Sequence, residues 1–192
     1  MEKRLARHKG YKNVYVHNDL ESAAYHFKGV IESKLAAKDR KGIAYDYMAC
    51  LLMLAFTFEA RINFLGLKLI SNWKEKQPFN DKVEEVLKRL CLAPDRTTRP
   101  WNAIARLKAF RDNLAHGKPD ETEFDEVIYV PNGTVEGPIK LNAEWLKYCD
   151  HDSVFNTYDD IDAIWKQLLE KSGIEVFETL TRGAGELIGI KG

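Results

Sequence analysis

The sequence predicts an all-α protein: an up-and-down bundle of four to five main helices, with a small β-hairpin or loop insertion before the last helix. Three observations predict it. Apolar residues recur at helical spacing in several long segments. Short polar or Pro/Gly stretches separate these segments: "DRKG" (39–42), "NWKEKQPFN" (72–80) and "LAPDRTTRP" (92–100). A single stretch, "EVIYVPNGTVEGPIKL" (126–141), sets β-branched and aromatic residues around an Asn-Gly and a Gly-Pro, as a hairpin does.

Taken in order, residues 1–18 mix basic and aromatic side chains without a period and read as an N-terminal arm. A first helix fits Asp19 as N-cap, with Leu20, Ala24, Phe27, Ile31 and Leu35 near one face. The second helix, roughly 43–71, is apolar nearly all round in its middle, which marks a central, fully packed element. A third runs from about 80 to 91 with Val83, Val86, Leu87 and Leu90 inward. A fourth runs to about 115, with Pro100 in its first turn and Gly117 and Pro119 as its stop. After the hairpin comes a short helix capped by Asn142. The last helix spans about 158–182, with Ile161, Ile164, Trp165, Leu168, Leu169, Ile174 and Phe177 on its apolar face. The organisation is therefore an arm (1–18), a helical domain (19–182, with the insertion at about 119–150) and a flexible tail (183–192).

Composition narrows the class. A chain of 192 residues, 45% hydrophobic and 30% charged, suits one well-cored globular domain. The most apolar run, "YMACLLMLAFTF" (47–58), suits a core helix better than a membrane span. No secretory leader follows Met1. Cys50, Cys91 and Cys149 are odd in number and lack metal-ligand spacing, so a reducing cytoplasm is expected, with no cofactor and no metal. The formal net charge of zero conceals a division. Residues 1–118 carry 23 Lys and Arg against 13 Asp and Glu, whereas 119–192 carry 6 against 16. Such a chain can offer a basic surface to a polyanion, or its two halves can attract each other within one fold.

Chemistry concentrates in "LKAFRDNLAHGKP" (107–119). Ala103, Leu107, Phe110 and Leu114 form the core stripe of the fourth helix. Arg111 lies at the edge of that stripe, and His116, five residues on, points nearly away from it. Between them runs a face of Trp101, Ala105, Lys108, Asp112 and Ala115. Its small residues admit a second backbone, either another helix of the same chain or the same helix of a second copy across a two-fold axis. Asp112 shares a face with His116 and can fix its tautomer, while Arg111 offers a bidentate fork to phosphate oxygens. A histidine just before a helix-ending glycine also serves as a plain cap or solvent-exposed residue. Glu59, in an otherwise apolar helix, requires a partner: Arg106, the neighbourhood of Arg61, or a backbone amide.

"RDNLAH" resembles the R-x4-6-H signature of the HEPN superfamily, all-α domains many of which are metal-independent ribonucleases of toxin–antitoxin, abortive-infection and CRISPR-associated systems. Helix order over about 19–182 agrees with the resemblance. In "FTFEARINFLG" (56–66), Glu59 and Asn63 look like the acidic and amide positions mid-helix in that superfamily. The resemblance implies Arg111 and His116 as a catalytic pair, supported by Asp112, Glu59 and Asn63. Lys108, Lys118 and Arg106 are candidate substrate contacts. The implied activity is endoribonucleolytic cleavage in a cleft formed by a homodimer, with RNA as partner and an antitoxin or other regulatory protein as a further one. A non-catalytic HEPN-like binding or dimerisation module is the alternative. Where the toxin subgroup paired with nucleotidyltransferase antitoxins carries a Tyr two residues after the His, this chain has Lys118. The acidic run "DETEFDE" (120–126) follows immediately and would repel RNA if it covered the cleft.

Overall fold

The computed structural model describes residues 5–117, 119, 121–133 and 143–190. It is mostly helical, with α1 (Val16–Ala36), α2 (Ile43–Leu69), α3 (Phe79–Arg89), α4 (Asn102–Ala115) and α5 (His151–Ser172). Short 3-10 turns cover Glu144–Tyr148 and Val176–Thr179. One two-stranded antiparallel sheet pairs β1 (Ala6–Asn13) with β2 (Arg182–Gly189).

α2 is the hub, packing against α1, α3, α4 and α5. Leu51, Leu54, Phe58, Ile62 and Leu65 are buried on its several faces, as a helix apolar all round requires. At 27 residues it is long and apolar enough to cross a membrane by length and composition, and 56% of its most apolar window is buried inside the fold. Ala103, Leu107 and Phe110 of α4 are buried as their spacing predicts, with Leu114 packed at the edge. The three cysteines are free thiols, and burial pushes that of Cys50 up to about 12.

Several boundaries differ from the sequence reading, each for a local reason. α1 starts at Val16 rather than after Asp19, which instead lies in the first turn. The extra residues are drawn into the helix by tertiary bonds: His17 Nε2–H and Asn18 Nδ2–H both donate to the Thr179 carbonyl, at 2.9 Å each. α5 starts earlier and ends earlier than 158–182. Asp150 caps it by accepting from the Ser153 amide at 2.9 Å, and Gly173 ends it at φ +67°. Ile174 and Phe177, expected on the apolar face of that helix, therefore lie beyond it, and Phe177 is exposed. α4 ends where His116 leaves helical geometry (φ −120°, ψ 25°), with its amide on the Asp112 carbonyl, and not through a left-handed Gly117.

The strand pair joins the two ends of the chain, so neither the arm nor the tail is without structure: β1 falls within 1–18 and β2 within 183–192 plus Arg182. The described part of the expected hairpin, 126–133, carries no strand. The remainder of that stretch, Asn142, Lys118 and Asp120 lie outside the described residues.

Candidate functional site

α2, α3 and α4 meet at a line of five charged side chains. Glu59 of α2 accepts from Arg111 Nη1 at 2.6 Å through one carboxylate oxygen and from Lys82 Nζ at 2.8 Å through the other. Asp112 accepts from Arg111 Nη2 at 3.0 Å and Nε at 3.2 Å, and its second oxygen accepts from Lys108 Nζ at 2.5 Å. The order is thus Lys82–Glu59–Arg111–Asp112–Lys108, three cations and two anions. Phe79 lies against Arg111, with the guanidinium carbon 5.3 Å from the ring centroid.

Each member is where it is for a reason in the local sequence. Lys82 is four residues before Val86, so it lies on the buried stripe of α3 and is itself buried. A lysine there requires a carboxylate, and Glu59 supplies it across the α2–α3 contact. Lys108 and Asp112 are one turn apart on α4, an i, i+4 pair at its half-exposed flank. The hydrogen bond from Lys108, joined by that from Arg111, holds the Asp112 carboxyl below its ordinary range.

This arrangement presets Arg111. Its guanidinium carries five N–H groups. Among the described residues, two carboxylates take three of them, leaving one on each Nη. The side chain is 20% exposed, so its surroundings are partly open to solvent. With Phe79 alongside and two carboxylates fixing its orientation, the guanidinium is preset and needs little reordering to bind a phosphate.

His116 is exposed at the end of the same helix, five residues on. Asp112, expected to orient it, directs its carboxylate to Arg111 and Lys108; its contact with His116 is through the backbone, amide to carbonyl at 2.9 Å. Asn63 stands one turn beyond Glu59, its side-chain oxygen buried without a hydrogen-bond partner among the described residues. Arg106 is on the other flank of α4, lining a small cavity with Leu51, Phe110, Tyr148 and Thr157, so the fold does not bring it to Arg111. Trp101 is turned inward, with its Nε1–H donating to Gln167 Oε1 of α5 at 3.0 Å. Of the face offered to a second element, the tryptophan is thus used within the chain, while Ala105 and Ala115 remain exposed.

Sequence reasoning missed Lys82 and Phe79. The signal for both was present: they precede Val86 and Val83 by four residues and so share the inward face of α3. Among the described residues, no group of three or more His, Cys, Asp or Glu stands together as a metal site. One ion pair among the described residues, Arg99–Asp160 at 2.9 Å, links the basic half of the chain to its acidic half. No protein-family model, curated protein or solved structure matches the chain.

Proposed function

We propose that the chain is a cytoplasmic, metal-independent endoribonuclease of HEPN type, acting as a homodimer in a toxin, abortive-infection or other defence setting. The observation that carries this reading is the Glu59–Arg111 pair. Two of the polar residues that the resemblance singles out, on separate helices and 52 positions apart, meet at 2.6 Å, and among the described residues the arginine keeps two N–H groups without a partner.

The chemistry follows from these groups. The substrate 2′-hydroxyl attacks the adjacent phosphorus, and the 5′-oxygen leaves, giving a 2′,3′-cyclic phosphate. One His116 accepts the proton of the 2′-hydroxyl. The His116 of a second copy, protonated, delivers one to the departing oxygen. Arg111 from either copy binds the non-bridging oxygens and the charge that grows on them. Each copy would contribute one His116, so the proton traffic calls for two copies.

The second reading, a non-catalytic HEPN-like module that binds RNA or protein, is favoured by one observation. Asp112 is committed to Lys108 and Arg111, so among the described residues the His116 ring lacks the orienting carboxylate that acid–base work usually employs. Incubating the wild type, Arg111→Ala and His116→Ala with total RNA in EDTA separates the two. Cleavage by the wild type alone, with 2′,3′-cyclic phosphate ends, supports the ribonuclease. Equal residual activity in all three overturns it.

A further inference from the structure

The β1/β2 ribbon has no counterpart in the helical body. Residues Arg7–Lys12 and Gly183–Gly189 are exposed along their length, on both faces. A lone two-stranded ribbon is marginal in water, so this one depends on its root. There the Tyr15 amide donates to Thr181 Oγ1 at 2.9 Å, and His17 and Asn18 hold the Thr179 carbonyl. Tyr15 and His17 also pack edge-on to Phe64. The base is fixed in the core while the length stands in solvent.

The register sorts its side chains. One face presents Arg7 opposite Ile188, Lys9 opposite Glu186, Tyr11 opposite Ala184 and Asn13 opposite Arg182. The other presents His8 opposite Leu187, Gly10 opposite Gly185 and Lys12 opposite Gly183. Arg7, Lys9 and Tyr11 therefore stand in a row along one strand. Tyr11 has only an alanine across from it and is 60% exposed. Arg7, Lys9 and Lys12 form no ion pair with a described residue, although Glu186 lies across from Lys9. The Arg111 cluster, by contrast, neutralises most of its own charge and offers a polyanion little attraction beyond its two free N–H groups.

We infer that the β1/β2 ribbon is a binding arm for single-stranded RNA, with Arg7 and Lys9 contacting phosphates and Tyr11, on the same face, stacking on a base. The identity of the polyanion rests on the ribonuclease reading. Unpaired cations around an open aromatic ring are what a single strand recognises. The narrow, deep major groove of an RNA duplex would exclude such side chains. Pairing of a second copy on the free edge of β1 is the competing occupant, and the like charges of Arg7, Lys9 and Lys12 oppose it.

Fluorescence anisotropy with 5′-fluorescein-labelled dodecauridylate on the folded full chain, from 50 to 300 mM KCl, tests the arm. Arg7→Ala/Lys9→Ala is expected to weaken binding and lower the slope of log affinity against log salt by about 1.4, two phosphates at ~0.7 each. Tyr11→Ala is expected to weaken binding about 5- to 150-fold at fixed salt with the slope unchanged. Each variant is compared with the wild type by circular dichroism and light scattering. No binding by the wild type, or folded variants that bind as it does, overturns the arm; so does a loss of dimer with RNA affinity intact. Failure of the ribonuclease reading looks different: ribbon-dependent binding persists, but Arg111→Ala and His116→Ala cleave RNA no differently from the wild type.

Discussion

Two arginine–glutamate pairs tie α2 to its neighbours from opposite sides. Positions 59 and 61 are about 200° apart around a helix, so Glu59 faces α3 and α4 while Arg61 faces α1 and α5. Arg61 pairs with Glu21 of α1 and lies over the Trp165 ring at 4.9 Å. Its side chain is 2% exposed, against 39% for Glu21. Arg111 pairs with Glu59 at similar depth on both sides, 20% against 26%. In the first pair the cation is sealed in, and no anion from outside can reach it. In the second, the side chain is partly open to solvent and two carboxylates set its orientation. The same two residue types make a rivet in one place and a receptor in the other, and solvent access separates them.

The largest effect that would sharpen this contrast is on cleavage. Arg111→Ala and His116→Ala are each expected to lower RNA cleavage by about 100- to 1000-fold, equivalent to roughly 3–4 kcal/mol of barrier, measured as initial rates on total RNA. Arg111→Ala should cost only about 1 kcal/mol of stability, because Glu59 keeps Lys82 and the vacated space opens to water. Glu21→Ala is expected to cost about 3 kcal/mol in urea unfolding, since it strands the buried Arg61 guanidinium. Arg61→Met should cost less than Glu21→Ala, because it removes the charge and refills the space. The reverse order would break the comparison.

Glu59→Ala should cost about 2 kcal/mol by leaving the buried Lys82 without its carboxylate, and adding Lys82→Met should restore part of that loss. The smallest effect is on acid stability. Burial holds the His17 pKa below its ordinary 6.5, outweighing the bond to Thr179. As pH falls below about 6.5, the unfolded chain takes up a proton that the native one refuses. Stability is full above that pH and falls at up to about 1.4 kcal/mol per pH unit until the folded pKa is reached. His17→Gln should flatten that part of the pH–stability profile.

Legibility in the sequence followed the range of the forces involved. The apolar stripe Ala103–Leu107–Phe110 and the all-round apolarity of α2 were readable, because both depend on residues three and four apart. Asp150 before Ser153, and Gly173, are equally local signals for the ends of α5, and they outweigh the apolar Ile174 and Phe177 that follow. At the site, Arg111, Asp112 and Glu59 were found individually. That Glu59 would take Arg111 and Lys82, in place of Arg106, could not be read, because it depends on how α3 and α4 dock on α2. Lys82, four residues before Val86, carries a local signal for its inward position, but nothing local names its partner.

The sequence by itself determined that the chain is mostly helical, which helix forms the centre and which face of each helix turns inward, because these follow from the helical period acting on neighbouring residues. Tertiary structure alone decided three things. It turned Trp101 onto Gln167. It drew Asp112 to Arg111 and Lys108 and away from the His116 ring. It joined residues 6–13 to 182–189, turning an apparent arm and tail into one ribbon. Each of these depends on partners far apart along the chain or on competition among several charges in one place. Pairing of that kind becomes favourable only once the helices have packed and the cost of closing the long loops has been met.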